Sequence, residues 1–155
     1  MTELPELGVD LAGVGLTHID HIGIAVRDLD AAIKLYEGVL GMTCVHVEES
    51  VQEGVREAMM SVGSGPSVSR IQLLAPTSAG STIARFLERS GPGLQQVAYA
   101  VADIDETCAL LRARGVRLLY EDPQRGTAGT RVNFIHPRDI DGVLVELVEP
   151  VPANR

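Results

Sequence analysis

Two stretches of the chain repeat each other. DHIGIAVRDLDAA (20–32) aligns with QQVAYAVADIDET (95–107), with identities at Ala25/Ala100, Val26/Val101, Asp28/Asp103 and Asp30/Asp105. A second pair, IQLLAP (71–76) and VELVEP (145–150), sets Gln72 against Glu146. The first pair is offset by 75 residues (96 − 21) and the second by 74 (146 − 72). Two separate anchors at nearly one offset mark a duplicated unit.

Each copy has the same punctuation. A strand (19–26; 94–101) runs into an Asp-rich helix start. Asp28 or Asp30 caps the first helix, and Asp103 or Asp105 the second, by accepting a free N–H of the first turn. The helices stop at Gly41 and Gly115, where glycine tolerates a left-handed C′ conformation. Three short strands follow, expected at 43–49, 54–62 and 67–75, and again at 116–121, 130–136 and 142–149. GSGP (63–66) and HPRDIDG (136–142) supply turns. A linker helix near 81–90 is capped by Ser81 or Thr82 and closed by Gly91. The expected class is α+β: two tandem βαβββ modules forming a curved eight-stranded sheet around a central cavity. The divisions are a leader (1–16), a first module (17–76), a linker helix (77–93), a second module (94–150) and a tail (151–155), in one compact domain of 155 residues.

Alternation along the strands sorts the polar residues. His21, Gly23 and Ala25 share one face, and Ile22, Ile24 and Val26 the other. Gln96, Ala98 and Ala100 repeat the first face in the second copy. Small residues behind a polar head leave a hollow. Gln72 and Glu146 take equivalent places in the last strands. His21, Gln72, Gln96 and Glu146 therefore face one cavity, either as satisfied polar residues or as one nitrogen and three oxygen ligands for a divalent cation. His18 points away from His21 and cannot share a metal with it. His136, before Pro137, reads as a turn residue.

Bulk properties narrow the function. A net charge of −8 argues against nucleic acid as a partner. No apolar run reaches membrane-spanning length, and MTELPELGVD lacks the basic start of a secretory signal. A cytoplasmic protein is expected, with Cys44 and Cys108 as free thiols. Aromatic residues make up 3% with no Trp, a poor supply of walls for a stacking binder.

IDHIGIAVRDLDAA, QEGVREAMM, RIQLLAP, GVRLLYEDPQRGTAGTRVNFIHP and GVLVELVEP together resemble the vicinal-oxygen-chelate (glyoxalase/bleomycin-resistance) superfamily, and within it the methylmalonyl-CoA epimerase branch. The resemblance runs from about residue 18 to 149. It implies an isomerase inverting C2 of methylmalonyl-CoA or a related 2-alkylmalonyl thioester through an enolate. Glu57 and Glu146 would be the acid–base pair, and His21, Gln72, Gln96 and Glu146 the metal ligands. Glu57 owes its role to the resemblance alone; by itself it reads equally as a surface carboxylate. The branch has histidine where this chain has Gln96. Gln96 could ligate a harder ion, leave the ion to three residues and water, or donate hydrogen bonds in the ion's place. The implied cofactor is a divalent ion (Co, Mn, Mg, Ni or Zn), and the implied partners are an acyl-CoA or acyl-carrier thioester and a second copy of the chain. Arg125 and Arg131 are either phosphate ligands or solvated surface residues. The rival functions are another enolate reaction, such as decarboxylation, on a specialised thioester, or non-catalytic sequestration of a small molecule.

Overall fold

The computed structural model describes residues 13–152. The strands are β1 (Leu16–Ala25), β2 (Thr43–Ser50), β3 (Val55–Val62), β4 (Ser69–Pro76), β5 (Gly93–Val101), β6 (Gln124–Arg125), β7 (Arg131–Ile135) and β8 (Val145–Glu149). The helices are α1 (Leu29–Leu40), α2 (Thr82–Ser90) and α3 (Ile104–Ala113). The strands form one curved eight-stranded sheet in the order β2-β3-β4-β1-β5-β8-β7-β6. β1 and β5 pair antiparallel at its centre. Each also pairs parallel with the last long strand of its own half, β1 with β4 and β5 with β8. The expected fold class is thus the observed one. Most of the leader (1–12) and part of the tail (153–155) lie outside the described residues.

Local chemistry fixes the helices. Asp28 accepts from the Ala31 N–H at 3.0 Å and Asp103 from the Glu106 N–H at 3.0 Å. That leaves Asp30 and Asp105 free for another matched task. Arg56 of β3 bonds Asp30, and Arg131 of β7 bonds Asp105. Ser81 caps α2 on the Ala84 N–H. Gly41 closes α1 at φ 67°. α1 packs Leu29 and Ala32 over Ala58, Met60, Leu73 and Ala75 on the outer face of the first half. α3 packs Ile104, Cys108 and Leu111 over Val101, Ile135, Val145 and Leu147 on the second. α2 instead sets Ile83 and Leu87 on Ala25, Val55 and Leu74, side chains of the inner face. It forms one wall of the hollow.

One expected strand differs. The segment 116–121 makes a single bridge, Leu118 to Ile135, and pairing resumes only at the two-residue β6. The fully buried Asn133 accounts for this. Its side chain accepts from the Tyr120 N–H (3.1 Å) and donates to the Tyr120 carbonyl (3.0 Å). A side chain replaces the ladder there, and Pro123 then removes a donor.

Candidate active site

Five neighbouring strands each bring one buried polar side chain to the inner face: Glu57 from β3, Gln72 from β4, His21 from β1, Gln96 from β5 and Glu146 from β8. They are joined. Gln72 Nε2 donates to Glu57 Oε2 (2.8 Å). Gln72 Oε1 accepts from Gln96 Nε2 (3.3 Å), which also donates to Glu146 Oε2 (2.5 Å). His21 Nε2 lies 3.2 Å from the same Glu146 oxygen. Two glutamine amides therefore link two carboxylates across the sheet, and every link is charge-assisted at one end or shared with one that is.

Gly23 makes the link possible. Gln96 reaches over β1 at Gly23, where an added Cβ would stand 2.5 Å from Gln96 Cγ and 3.3 Å from Leu74 Cδ1. Gly23→Ala is expected to push Gln96 off Glu146 and Gln72. Overpacking of this kind costs about 1–3 kcal/mol, so the protein stays folded in thermal melts while catalysis falls disproportionately. A loss of activity no larger than the loss of folded protein would contradict this.

Three supporting residues escaped the sequence reading. Asp20 accepts from His21 Nδ1 at 2.8 Å and leaves Nε2 facing the site. Thr127, in the turn after β6, donates to Glu57 Oε1 and accepts from Gln72 Nε2. Glu48 of β2 accepts from the Ala128 N–H at 2.9 Å, which holds that turn down; Ala128 is left-handed at φ 55°. Asp20 had a signal, a carboxylate adjoining a candidate ligand. The other two had none, because β2 and the 127–129 turn meet only when the sheet curls.

The surroundings set the charges. Burial works to lower the His21 pKa, but hydrogen bonds that the imidazolium donates to the Asp20 and Glu146 carboxylates outweigh it and push it up to about 9. Burial raises the Glu57 carboxyl, against the Thr127 hydroxyl, which lowers it; the charges of Glu48 and Glu146 add to the rise. The hydrogen bond to His21 holds Asp20 below the usual range.

The remaining expected residues fall as follows. His18 is exposed and bonds Thr17, away from His21. His136 caps a turn by accepting from the Arg138 N–H. Arg125 lines the cavity of about 750 Å³ that opens from Glu57, Gln72, Gln96 and Glu146. Arg131 is not brought there: Asp105 takes it at 2.9 and 3.0 Å, and Glu149 stands 3.6 Å away. The repeat held the signal, since Arg131 copies Arg56 at the same 75-residue offset (131 − 56).

Whether the site suits a cation turns on one atom. Gln96 Nε2 lies 3.4 Å from His21 Nε2, 3.3 Å from Gln72 Oε1 and 2.5 Å from Glu146 Oε2. Three atoms converge on one position: two oxygens that carry lone pairs, and an imidazole nitrogen that carries one once its proton is lost. Rotating the Gln96 amide by half a turn presents its oxygen there instead. The resulting set is one imidazole nitrogen and three oxygens, which fits an oxygen-preferring divalent ion and is thin in nitrogen for Zn. Among the described residues, no three His, Cys, Asp or Glu side chains gather to hold a metal.

Residues 20–134 match the model of the glyoxalase/bleomycin resistance protein/dioxygenase superfamily. The ethylmalonyl-CoA/methylmalonyl-CoA epimerase of Cereibacter sphaeroides is 35% identical over 131 residues, covering 83% of this chain and 95% of that one. The crystal structure of methylmalonyl-CoA epimerase from Mycobacterium tuberculosis is 52% identical, with a TM-score of 0.86 over 92% of this chain and 94% of that one. The chain belongs to the methylmalonyl-CoA epimerase family. Another methylmalonyl-CoA epimerase, solved in complex with methylmalonyl-CoA and NH4+, is 42% identical, with a TM-score of 0.84 over 88% of this chain and 96% of that one. Among the described residues, no helix of this epimerase-family chain is long and apolar enough to cross a membrane.

Proposed function

We propose that this protein inverts C2 of methylmalonyl-CoA, or of a closely related 2-alkylmalonyl thioester, by two-base proton transfer. The observation that carries this reading is the buried pair Glu57 and Glu146, held apart by Gln72 and Gln96 on one inner face. Inversion needs a base on one side of C2 and an acid on the other. Ionised Glu57 takes the α-proton, and its electron pair passes into the thioester as an enolate. Protonated Glu146 then returns a proton to the opposite face; the reverse reaction exchanges the roles. Glu146 engages Gln96 and His21 through Oε2, which leaves Oε1 for the substrate. The raised pKa of Glu57 makes it a stronger base than a solvated glutamate. Positioned proton transfer is worth about 10²–10⁴-fold.

The enolate needs further stabilisation. His21, Gln72, Gln96 and Glu146 would hold a divalent ion, which when bound supplies positive charge to the developing anion, worth several kcal/mol. Asp20 aims His21, and Thr127 orders Glu57. A cytoplasmic homodimer belongs to the same proposal.

The deciding experiment is deuterium exchange. Deuterium should wash into C2 of either methylmalonyl-CoA epimer in D₂O. Absence of exchange with any 2-alkylmalonyl thioester overturns the reading. A pH dependence follows as well. Protonating Glu57 removes the base, so kcat/KM should fall about tenfold per pH unit below an apparent pKa that lies above the ordinary glutamate value of 4.5. A profile flat down to pH 4.5 would contradict the buried-base assignment.

A further inference from the structure

Glu48 and Glu57 stand directly opposite each other in the β2–β3 ladder, on one face. Like charges in that place repel, so each carboxylate needs a partner of its own. Both partners come from one turn. Glu57 accepts from the Thr127 hydroxyl, and Glu48 Oε2 accepts from the Ala128 N–H at 2.9 Å. Adjacent residues of the turn thus engage the two opposed carboxylates.

The turn follows β6, the strand at the far edge of the sheet from β2. It is braced within itself. Thr130 donates to the Thr127 carbonyl from its N–H (3.2 Å) and from its hydroxyl (2.8 Å), and the Gly126 N–H donates to the Thr130 carbonyl (2.8 Å). It therefore moves as a unit. Among the described residues, its hydrogen bonds to the first half of the sheet join Thr127 to Glu57 and Gln72, and Ala128 to Glu48. Ala128 is left-handed at φ 55° and ψ 31°. A residue with a Cβ keeps that backbone only where its contacts over-determine it. The Glu48 carboxylate is itself aimed: His46, two residues back on the same strand, brings Nε2 within 2.9 Å of Glu48 Oε2. The Ala128 N–H, and after it His46, hold the Glu48 carboxyl below its usual range. It stays a charged acceptor where an ordinary glutamate begins to protonate.

We propose that Glu48 is a positioning residue. It anchors the 127–129 turn to the opposite edge of the sheet, and through the Thr127 hydroxyl it fixes where the Glu57 carboxylate points. This rests on the role proposed above for Glu57 as a base. Thr127 holds one Glu57 oxygen and Gln72 the other. A loosened turn frees the first of them to swing, and misplacing a reacting group by about 1 Å costs about 10²-fold.

The test combines three substitutions. Glu48 is half-exposed on an edge strand, so its variants are expected to fold. Glu48→Ala should lower kcat for methylmalonyl-CoA by about 10–10²-fold. KM should change little, the pattern of an interaction that matters in the transition state and not in binding. Glu48→Gln keeps an oxygen for the Ala128 N–H and removes only the charge. It should retain kcat within about threefold of the native value, a neutral hydrogen bond being weaker than a charged one. Thr127→Val has no hydroxyl left to position, so adding Glu48→Ala to it should cost no more than about twofold. Three results overturn the proposal: native kcat in Glu48→Ala, a loss in Glu48→Gln as large as in Glu48→Ala, or a Glu48→Ala effect undiminished in the Thr127→Val background. The second would make the charge of Glu48, and not its bond, the cause. Amide hydrogen exchange separates the anchor from the function itself. The Ala128 N–H should exchange about tenfold faster or more in Glu48→Ala than in the native protein, and stay protected in Glu48→Gln. If no 2-alkylmalonyl thioester turns over yet this pattern holds, the anchor stands and the epimerase reading fails. Equal Ala128 exchange in all three proteins sinks the anchor.

Discussion

Glu57→Gln is expected to lower kcat for methylmalonyl-CoA epimerisation by about 10²–10⁴-fold, the share a positioned base supplies, with little change in Tm. Glutamine is isosteric and keeps the local bonds: its oxygen can accept from Gln72 Nε2, and its amide can donate to the Thr127 hydroxyl. It also removes a charge that burial already disfavours, so the fold loses nothing. Deuterium uptake at C2 tells which step is lost. Glu57→Gln should abolish exchange of the epimer whose proton faces Glu57. The other epimer still presents its proton to Glu146, and exchange there should persist at a reduced rate. Equal, near-native exchange of both epimers would remove Glu57 from the chemistry. A Tm drop of many degrees would instead make it a structural carboxylate.

That experiment probes the residue the sequence described least well. The duplication made the sheet, both outer helices, their Asp caps and four inner-face side chains legible, because each appears twice and must satisfy the same geometry. Glu57 has no such copy. At the same 75-residue offset (57 + 75) the second half carries Val132, which packs with Ala98 and Val148. Repeat logic is blind to a residue that breaks the symmetry, and only the family resemblance singled it out. Thr127 and Glu48 were invisible for another reason. They lie near the two edges of the sheet, and curvature alone brings them together. Gln95 defeated the strict two-residue period because a bulge in β5 resets the alternation beside the cavity it lines. Asn133 defeated the strand pattern by bonding backbone with a side chain. Between the two readings left open for Arg131, the repeat points to the surface one, since Arg56 pairs with Asp30 as Arg131 pairs with Asp105.

Gln96→His should change which ion the site prefers. With its Gln96 amide turned over, the proposed site would offer one imidazole nitrogen and oxygens from Glu146, Gln72 and Gln96. That set favours Mg²⁺, Mn²⁺ or Co²⁺ and gives Zn²⁺ less than its usual nitrogen share. A second imidazole at position 96 still passes over Gly23, where there is room for the first side-chain carbons. Competition titration should then show Zn²⁺ or Ni²⁺ gaining about tenfold or more over Mg²⁺, a difference of roughly 1.4 kcal/mol. Because His21 has a pKa of about 9 and must shed its proton to ligate, ion binding to the native protein should tighten as pH rises from 6 towards 9, and release protons. Gln96→Leu completes the argument. If Gln96 is a ligand, this variant weakens Mn²⁺; if water fills the fourth place, it leaves the Mn²⁺ affinity as it was. Unchanged ion selectivity in Gln96→His, together with epimerase activity that survives EDTA in the native protein, would mean that the Gln96 amide itself does the work of the ion. Its hydrogen bonds would then reach the anion directly, as preorganised donors do in an oxyanion hole.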